Sequence, residues 1–270
     1  QMCIRDSNYP SEVWAQNLYW NWLYSLMPLL FPKGSGFPPF MQNIAWTDKE
    51  LFASLGSWSE LRHDTILYVK QSGTERGGMP YSNLIQGFVE PNPYLFARLA
   101  SLAEFLITGL NANQLLYASF ETHLKSLHEL LLALKNIAEK ELTNHPLSVD
   151  DYELICNIGE TLETIVEFAE WGTEGPMTGE ELKMPVVADV HTDSNTNTCL
   201  EEAVGYPFVI YVICPIEGEL VLAKGAGFSY YEFTQPISQR LTDEEWQQML
   251  ISGSEPPLNY WTVSFMDTNY

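Results

Sequence analysis

From Pro185 onward the spacing of apolar residues changes, and that change constrains the fold more than any other feature of the chain. Before it, apolar residues recur at intervals of three and four, the repeat of a helix with one buried face. Leu116, Phe120, Leu124, Leu127, Leu131, Leu134 and Ala138 form one such stripe, and Glu121 and Lys125 can pair on its exposed side. After the Asn144-His145-Pro146 break, Ser148 caps a second stripe through Tyr152, Ile155, Gly159, Leu162, Val166 and Ala169. The two read as an antiparallel helical hairpin, with Gly159 marking a close approach. Upstream, Ser11 caps a helix that stops near Pro28. Capping boxes at Thr47/Glu50 and Ser57/Glu60 predict two successive helices, closed by Gly73, Gly77, Gly78 and Pro80. Pro91 and Pro93 open a further helix towards Gly109.

After Pro185 the pattern is that of strands. Residues 186–193 alternate, 208–214 form a continuous apolar run, and 219–224 and 226–233 follow, with turns at Glu217-Gly218 and Gly225. Thr242 caps one last short helix, and Pro256-Pro257 begins an extended tail. The expected class is α+β: a predominantly α-helical array over 8–184, then a small antiparallel β-meander with its short helix over 185–270, packed together as one domain. Gln1 to Ser7 (QMCIRDS) resemble translated adapter sequence and are set aside.

Hydrophobic residues make up 46% of the 270 and charged residues 18%, enough for a core and too little charge for disorder. Acids outnumber bases 35 to 13, a net charge of −22, which excludes nucleic acid as a partner and disfavours an anionic membrane surface. No apolar run approaches the roughly 18 residues of a spanning helix, so no transmembrane segment is expected. Up to His145 there are 10 bases and 13 acids; after it, 3 and 22, so the later part carries −19 of the total. A solvated acidic face accounts for this distribution, and a surface gathering hard cations is the alternative. Cys3, Cys156, Cys199 and Cys214 show no C-x-x-C spacing and read as free thiols rather than a disulfide frame.

Two segments carry candidate chemistry. On the helix from Ser57 to Ser72 an apolar arc runs through Trp58, Leu61, Thr65, Ile66, Tyr68 and Val69, and Arg62 falls inside it. A guanidinium there must be paired or must snorkel to the surface, and Glu90 or Asp189 are the expected carboxylates if it is paired. His63 and Lys70 share one edge, so Arg62, His63 and Lys70 offer a basic ledge for an anion; a buried ion pair and a core histidine explain the same residues. On the strand 186–193 regular alternation puts Asp189, His191 and Asp193 on one face, where they can ligate a metal or orient His191 as a general base. Asp193, Asn195 and Asn197, with Glu201 and Glu202 beyond, make half of a calcium loop; Thr198 and Val204 depart from its template, and a polar Asx turn explains the same residues. The expected cofactor is thus a divalent cation, calcium or zinc, and no residues for an organic cofactor emerge. Hydrolase elbows, H-E-x-x-H, phosphate loops and dinucleotide glycines are all missing from the sequence.

Several blocks resemble one family: GSWSELRHDTILYVKQ (56–71), GFVEP (87–91), VADVHTD (187–193) with LEEAVG (200–205), GAGFSYYEF (225–233) and RLTDEEW (240–246). They are similar to the bacterial and archaeal family called domain of unknown function 3160 and fall in order across residues 45–265. The resemblance implies a C-terminal part of a longer, exported protein, hence an extracytoplasmic location, and it supplies no reaction. Two functions follow. One is a metal-assisted or acid–base hydrolase, with His191 as base or ligand, Asp189 and Asp193 orienting it, and Arg62 and His63 holding an anionic group. The other is a non-catalytic binding module for a small molecule, peptide or glycan, in which these polar motifs are structural.

Overall fold

The computed structural model describes residues 11–66, 87–166 and 184–267. Expectations that fall on 1–7, on Tyr68, Val69 and Lys70, on Gly73 to Pro80 and on Ala169 lie outside the described residues. Among those described, seven α-helices precede or flank five antiparallel strands, so the fold is α+β. The chain forms two compact units that cut across the 184/185 boundary: 11–31 with 87–166, and 32–66 with 184–267.

The first unit is helical. α1 (Leu18–Leu26) starts at Asn17, whose side chain accepts from Trp20 N–H, so the expected start at Ser11 belongs instead to a separate 3-10 turn over Ser11–Ala15. α3 (Pro93–Ala112) is opened by Asn92 and Pro93, as a proline at the first helical position favours. It packs on α1 and on α4 (Ala118–Leu142). Arg98 of α3 lays its guanidinium 3.9 Å from the centre of the Tyr24 ring and donates to Tyr24 O at 2.8 Å. α3 is also the one described helix with the length and mean hydropathy, 1.3, of a membrane span, and a single such helix makes no clear transmembrane segment. Leu131 and Ala138 of the predicted stripe are buried, beside Leu130 and Ile137.

The second stripe is divided. α5 (Val149–Cys156) is opened by the Ser148/Asp151 capping box, and α6 (Ile158–Val166) follows after Asn157. A side chain at Gly159 would meet nothing within 4 Å, so this glycine marks no close approach. Glu141, at the end of α4, accepts Val89 N–H at 3.0 Å, while its other oxygen is buried without a hydrogen-bond partner.

In the second unit α2 (Ile44–Ile66) is one helix of 23 residues where the two capping boxes predicted a break. Asn43 is its cap, accepting Trp46 N–H at 2.9 Å, and the hydroxyls of Ser54 and Ser59 turn back onto carbonyls four residues earlier. Such back-bonding lets serine sit inside a helix. Gly56 marks a close approach on α2: a Cβ there would lie 3.2 Å from Phe228. Phe52, fully buried, meets Phe208, Tyr230, Trp261 and Phe265 edge-on at 5.5–6.0 Å. Lys33 and Glu50 form a buried ion pair at 3.0 Å, and removing one partner of such a pair costs about 3–5 kcal/mol.

The strands form two small sheets rather than one continuous meander. β1 (Val186–Asp193), β2 (Thr198–Val204) and β5 (Tyr231–Pro236) make one, in the order β1-β2-β5; β3 (Phe208–Ile216) and β4 (Glu219–Gly227) pair only with each other among the described residues. Glu217 and Gly218, both at positive φ, close the β3–β4 hairpin as a two-residue turn requires. β4 runs through the turn expected at Gly225. The break comes at 228–230, where Phe228 packs on Gly56, Ser229 Oγ accepts Gly205 N–H, and Tyr230 is buried against Phe52. α2 packs on β1 and β2. α7 (Asp243–Ser252) contacts β1 and buries Trp246 with Val187 and Ala203, stacked on Phe233 at 5.6 Å.

Burial raises the Glu141 carboxyl from its ordinary 4.5 to about 8, against the opposing Val89 hydrogen bond. The folded chain therefore holds this proton more tightly than the unfolded one, and the resulting stability is lost as pH rises from about 4.5 to about 8. Thermal melting of the parent and Glu141→Gln across that window should show the parent losing stability relative to the variant. Parallel curves would refute this protonation state.

Candidate functional site

β2 organises the polar chemistry of the second unit. Its sequence, TCLEEAV, puts Cys199, Glu201 and Ala203 on one face and Leu200, Glu202 and Val204 on the other. Adjacent acids thus serve two separate clusters, one on each side of the sheet.

On the α7 side, Asp189 stands directly across from Glu201. Cys199 Sγ lies 3.6 Å from Glu201 Oε1, which also accepts Leu241 N–H at 3.0 Å; Glu201 Oε2 is buried with no hydrogen-bond partner. Arg240 closes the cluster from outside, its Nε 3.0 Å from Asp189 Oδ2 and its terminal nitrogen donating to Thr192 Oγ1 at 2.6 Å. Burial, with Asp189 adding to it, pushes the Glu201 carboxyl up, and burial pushes the Cys199 thiol up.

On the α2 side, Glu202 faces Glu232 across the β2–β5 pair, and Tyr230 donates its hydroxyl to Glu232 Oε2 at 2.9 Å. Burial, then the Glu232 charge, raise Glu202 to about 7; Arg62 and the Ser59 hydroxyl oppose the rise. Burial also drives the Tyr230 phenol upward. Two like charges so close do not both ionise freely, so this pair holds a proton near neutrality.

The residues singled out from sequence are dispersed. His63 is 3% exposed and bonds Asp243 Oδ2 through Nε2 at 2.9 Å; Asp243 Oδ1 accepts Val187 N–H at 3.0 Å. Arg62 is half-buried, with its guanidinium 5.8 Å from the Trp58 ring and Nε lacking an acceptor. Asp189, one expected partner of Arg62, is held by Arg240 instead.

The shared face expected for Asp189, His191 and Asp193 does not form. The β1–β2 register shifts between Asp189 and His191, so Val190 is an extra residue that inverts the alternation. Asp189 keeps company with Glu201, while exposed His191 pairs with Leu200 on the opposite face. Asp193 belongs to the 194–197 turn, accepting from Asn195 N and Nδ2 and from Thr196 Oγ1 at 2.8–3.1 Å, with Asn197 at φ 57°. Those hydrogen bonds hold its carboxyl below the ordinary range. The residues that read as half a calcium loop are an Asx-stabilised hairpin turn followed by a strand. Cys199, expected only as a free thiol, and Arg240, Asp243, Tyr230 and Glu232 were not among the expected site residues; period-two alternation through TCLEEAV was the signal that would have separated Glu201 from Glu202.

His63→Ala should destabilise the chain by about 2–4 kcal/mol, because it opens a cavity and leaves a partly buried carboxylate short of a donor. A double-mutant cycle with Asp243→Asn, read by denaturant unfolding, should give a coupling of about 1 kcal/mol or more. Additive losses would show that the two side chains act independently.

No curated protein and no solved structure matches the chain. The family model described as protein of unknown function (DUF3160) matches residues 4–262, nearly the whole length. The blocks on α2, β1, β2, β5 and α7 that carry the polar clusters are parts of that match, and the chain belongs to this family.

Proposed function

We propose that the chain is a non-catalytic, extracytoplasmic binding module that takes up an extended polypeptide segment by strand addition to β3. The observation that carries this reading is a groove of about 790 Å³ along β3, lined by consecutive residues Phe208 to Ile213 on one side and by Phe40, Trp46 and Phe265 on the other. Consecutive residues line a groove where a strand offers its edge, and β3 has a partner only in β4 among the described residues. Unpaired amides and carbonyls beside an aromatic wall are the means by which strand addition gains affinity, with alternate side chains supplying selectivity. The face of the hairpin extends the apolar surface: Tyr211 is 65% exposed, Ile213 58% and its cross-strand partner Leu222 65%.

Net charge selects the occupant. Lys49 and Asp267 on the groove wall offset one another, so the −22 of the whole chain is what repels an acidic segment or a second copy and attracts an apolar strand with basic flanks. The dispersal of Arg62, His63, Asp189 and His191 supports a binding role over the hydrolase reading. Extracytoplasmic placement rests on the likeness to exported members of the family, and fractionation of the native host tests it.

The probe is a ten-residue peptide alternating valine and threonine between lysine pairs. It should bind with roughly micromolar affinity in calorimetry, and slow amide exchange within 209–213. Trp46→Ala should weaken binding by about tenfold, and a version with alternate prolines should not bind. Absence of binding, protection elsewhere, or a dimer in light scattering with β3 amides already protected would each overturn the proposal.

A further inference from the structure

The α7-side cluster stands apart from the β3 groove and shares only Asp189 with the Asp189/His191/Asp193 set. We infer that Asp189, Cys199 and Glu201 form a site for one thiophilic divalent cation, zinc by its chemistry, with Arg240 as the local counter-charge the ion displaces. The donor set is fixed by backbone geometry: Asp189 and Glu201 face one another across antiparallel strands, and Cys199 lies two residues before Glu201 on the same face. One ligand atom from each falls within 4.8 Å of the other two. Zinc with bonds of about 2.0–2.3 Å gathers its ligands to within about 4 Å, a contraction that side-chain rotation supplies.

A second observation points to a ligand. Glu201 is 0% exposed, yet its Oε2 has no hydrogen-bond partner, while Oε1 is satisfied by Leu241 N–H and the Cys199 thiol. A buried carboxylate oxygen without a donor is costly, and a cation beside it removes that cost. Access is from the rim, where the side chain of Asp189 is 32% exposed and that of Arg240 is 41% exposed.

The chemistry of the set chooses the ion. Calcium and magnesium take oxygen ligands and gain nothing from sulfur, whereas a thiolate with two carboxylates suits zinc and its relatives. The thiol releases its proton to solvent as the metal–sulfur bond forms, so affinity rises with pH. Arg240 competes for Asp189 in the meantime, which makes the site weaker than one built without it.

Cobalt(II) is the probe, added alone to the reduced, chelator-treated full chain. One equivalent should produce a near-ultraviolet thiolate-to-cobalt charge-transfer band, and zinc should bleach it. The band should vanish in Cys199→Ser and survive when the other three cysteines are replaced by serine. Glu201→Gln, which keeps an acceptor for Leu241 N–H, should weaken cobalt by about tenfold or more, and Arg240→Ala should tighten it by about as much. Circular dichroism of each variant confirms folding. A parent chain without the band, a band that persists in Cys199→Ser, or unchanged affinity in Glu201→Gln would overturn the site.

Discussion

The second unit depends on one carboxylate. Asp243 reaches over the outer edge of β1, where one oxygen receives the Val187 amide and the other the His63 imidazole. β1 ends the three-stranded sheet, and an end strand exposes amides that other chains could pair with. By accepting one of those amides and tying it to a helix 180 residues away in sequence, Asp243 covers the edge and joins α2 to α7. It also sits in the first turn of α7, where a negative charge meets the positive end of the helix dipole.

Given that clamp, the rest follows from alternation. β2 is central, so both its edges are paired, and with α2 against one face and Trp246 of α7 against the other its side chains point into packed layers. Ala203 and Val204 pack, Trp246 donates its indole N–H to Val204 O, and the two adjacent glutamates divide between the layers. Neither glutamate is in water. Each is answered only in part, Glu201 by a backbone amide and a thiol, Glu202 by Ser59 and Arg62, and Oε2 of each is buried without a hydrogen-bond partner. The single extra residue at Val190 then decides which side chains meet: it returns Thr192 to the face of Asp189, so that Arg240 grips both, and it sends His191 away.

Much of the fold was legible and much of the site was not, for physical reasons. The α4 stripe and the start of α3 follow from periodicity and proline placement, both local. α2 reads as two helices because a Ser/Thr-x-x-Glu box is a cap only where the chain enters a helix; within α2 the Thr47 hydroxyl bonds backward to Asn43 O, as Ser54 and Ser59 do to their own preceding turns. β2 escaped notice because a strand with two acids looks solvent-facing until both neighbours are known. The bulge at Val190 has no local signature, since alternation is read on the assumption that none occurs. Arg240 with Asp189, and Asp243 with His63, are pairings that only the folded topology creates.

The β3–β4 hairpin has a consequence for the molecule in solution. Its apolar side chains stand outward on a ribbon with no charge between Phe208 and Ile216, in a chain that is otherwise densely acidic. The −22 of each copy opposes contact between these ribbons, and the range of that repulsion is set by the ions around them. That range shrinks from about 10 Å at 0.1 M salt to about 3 Å at 1 M, shorter than the approach at which two ribbons touch. Salt should thus act on this chain as a colloidal control, with dilute buffer favouring dispersed copies and concentrated buffer favouring contact between hairpins.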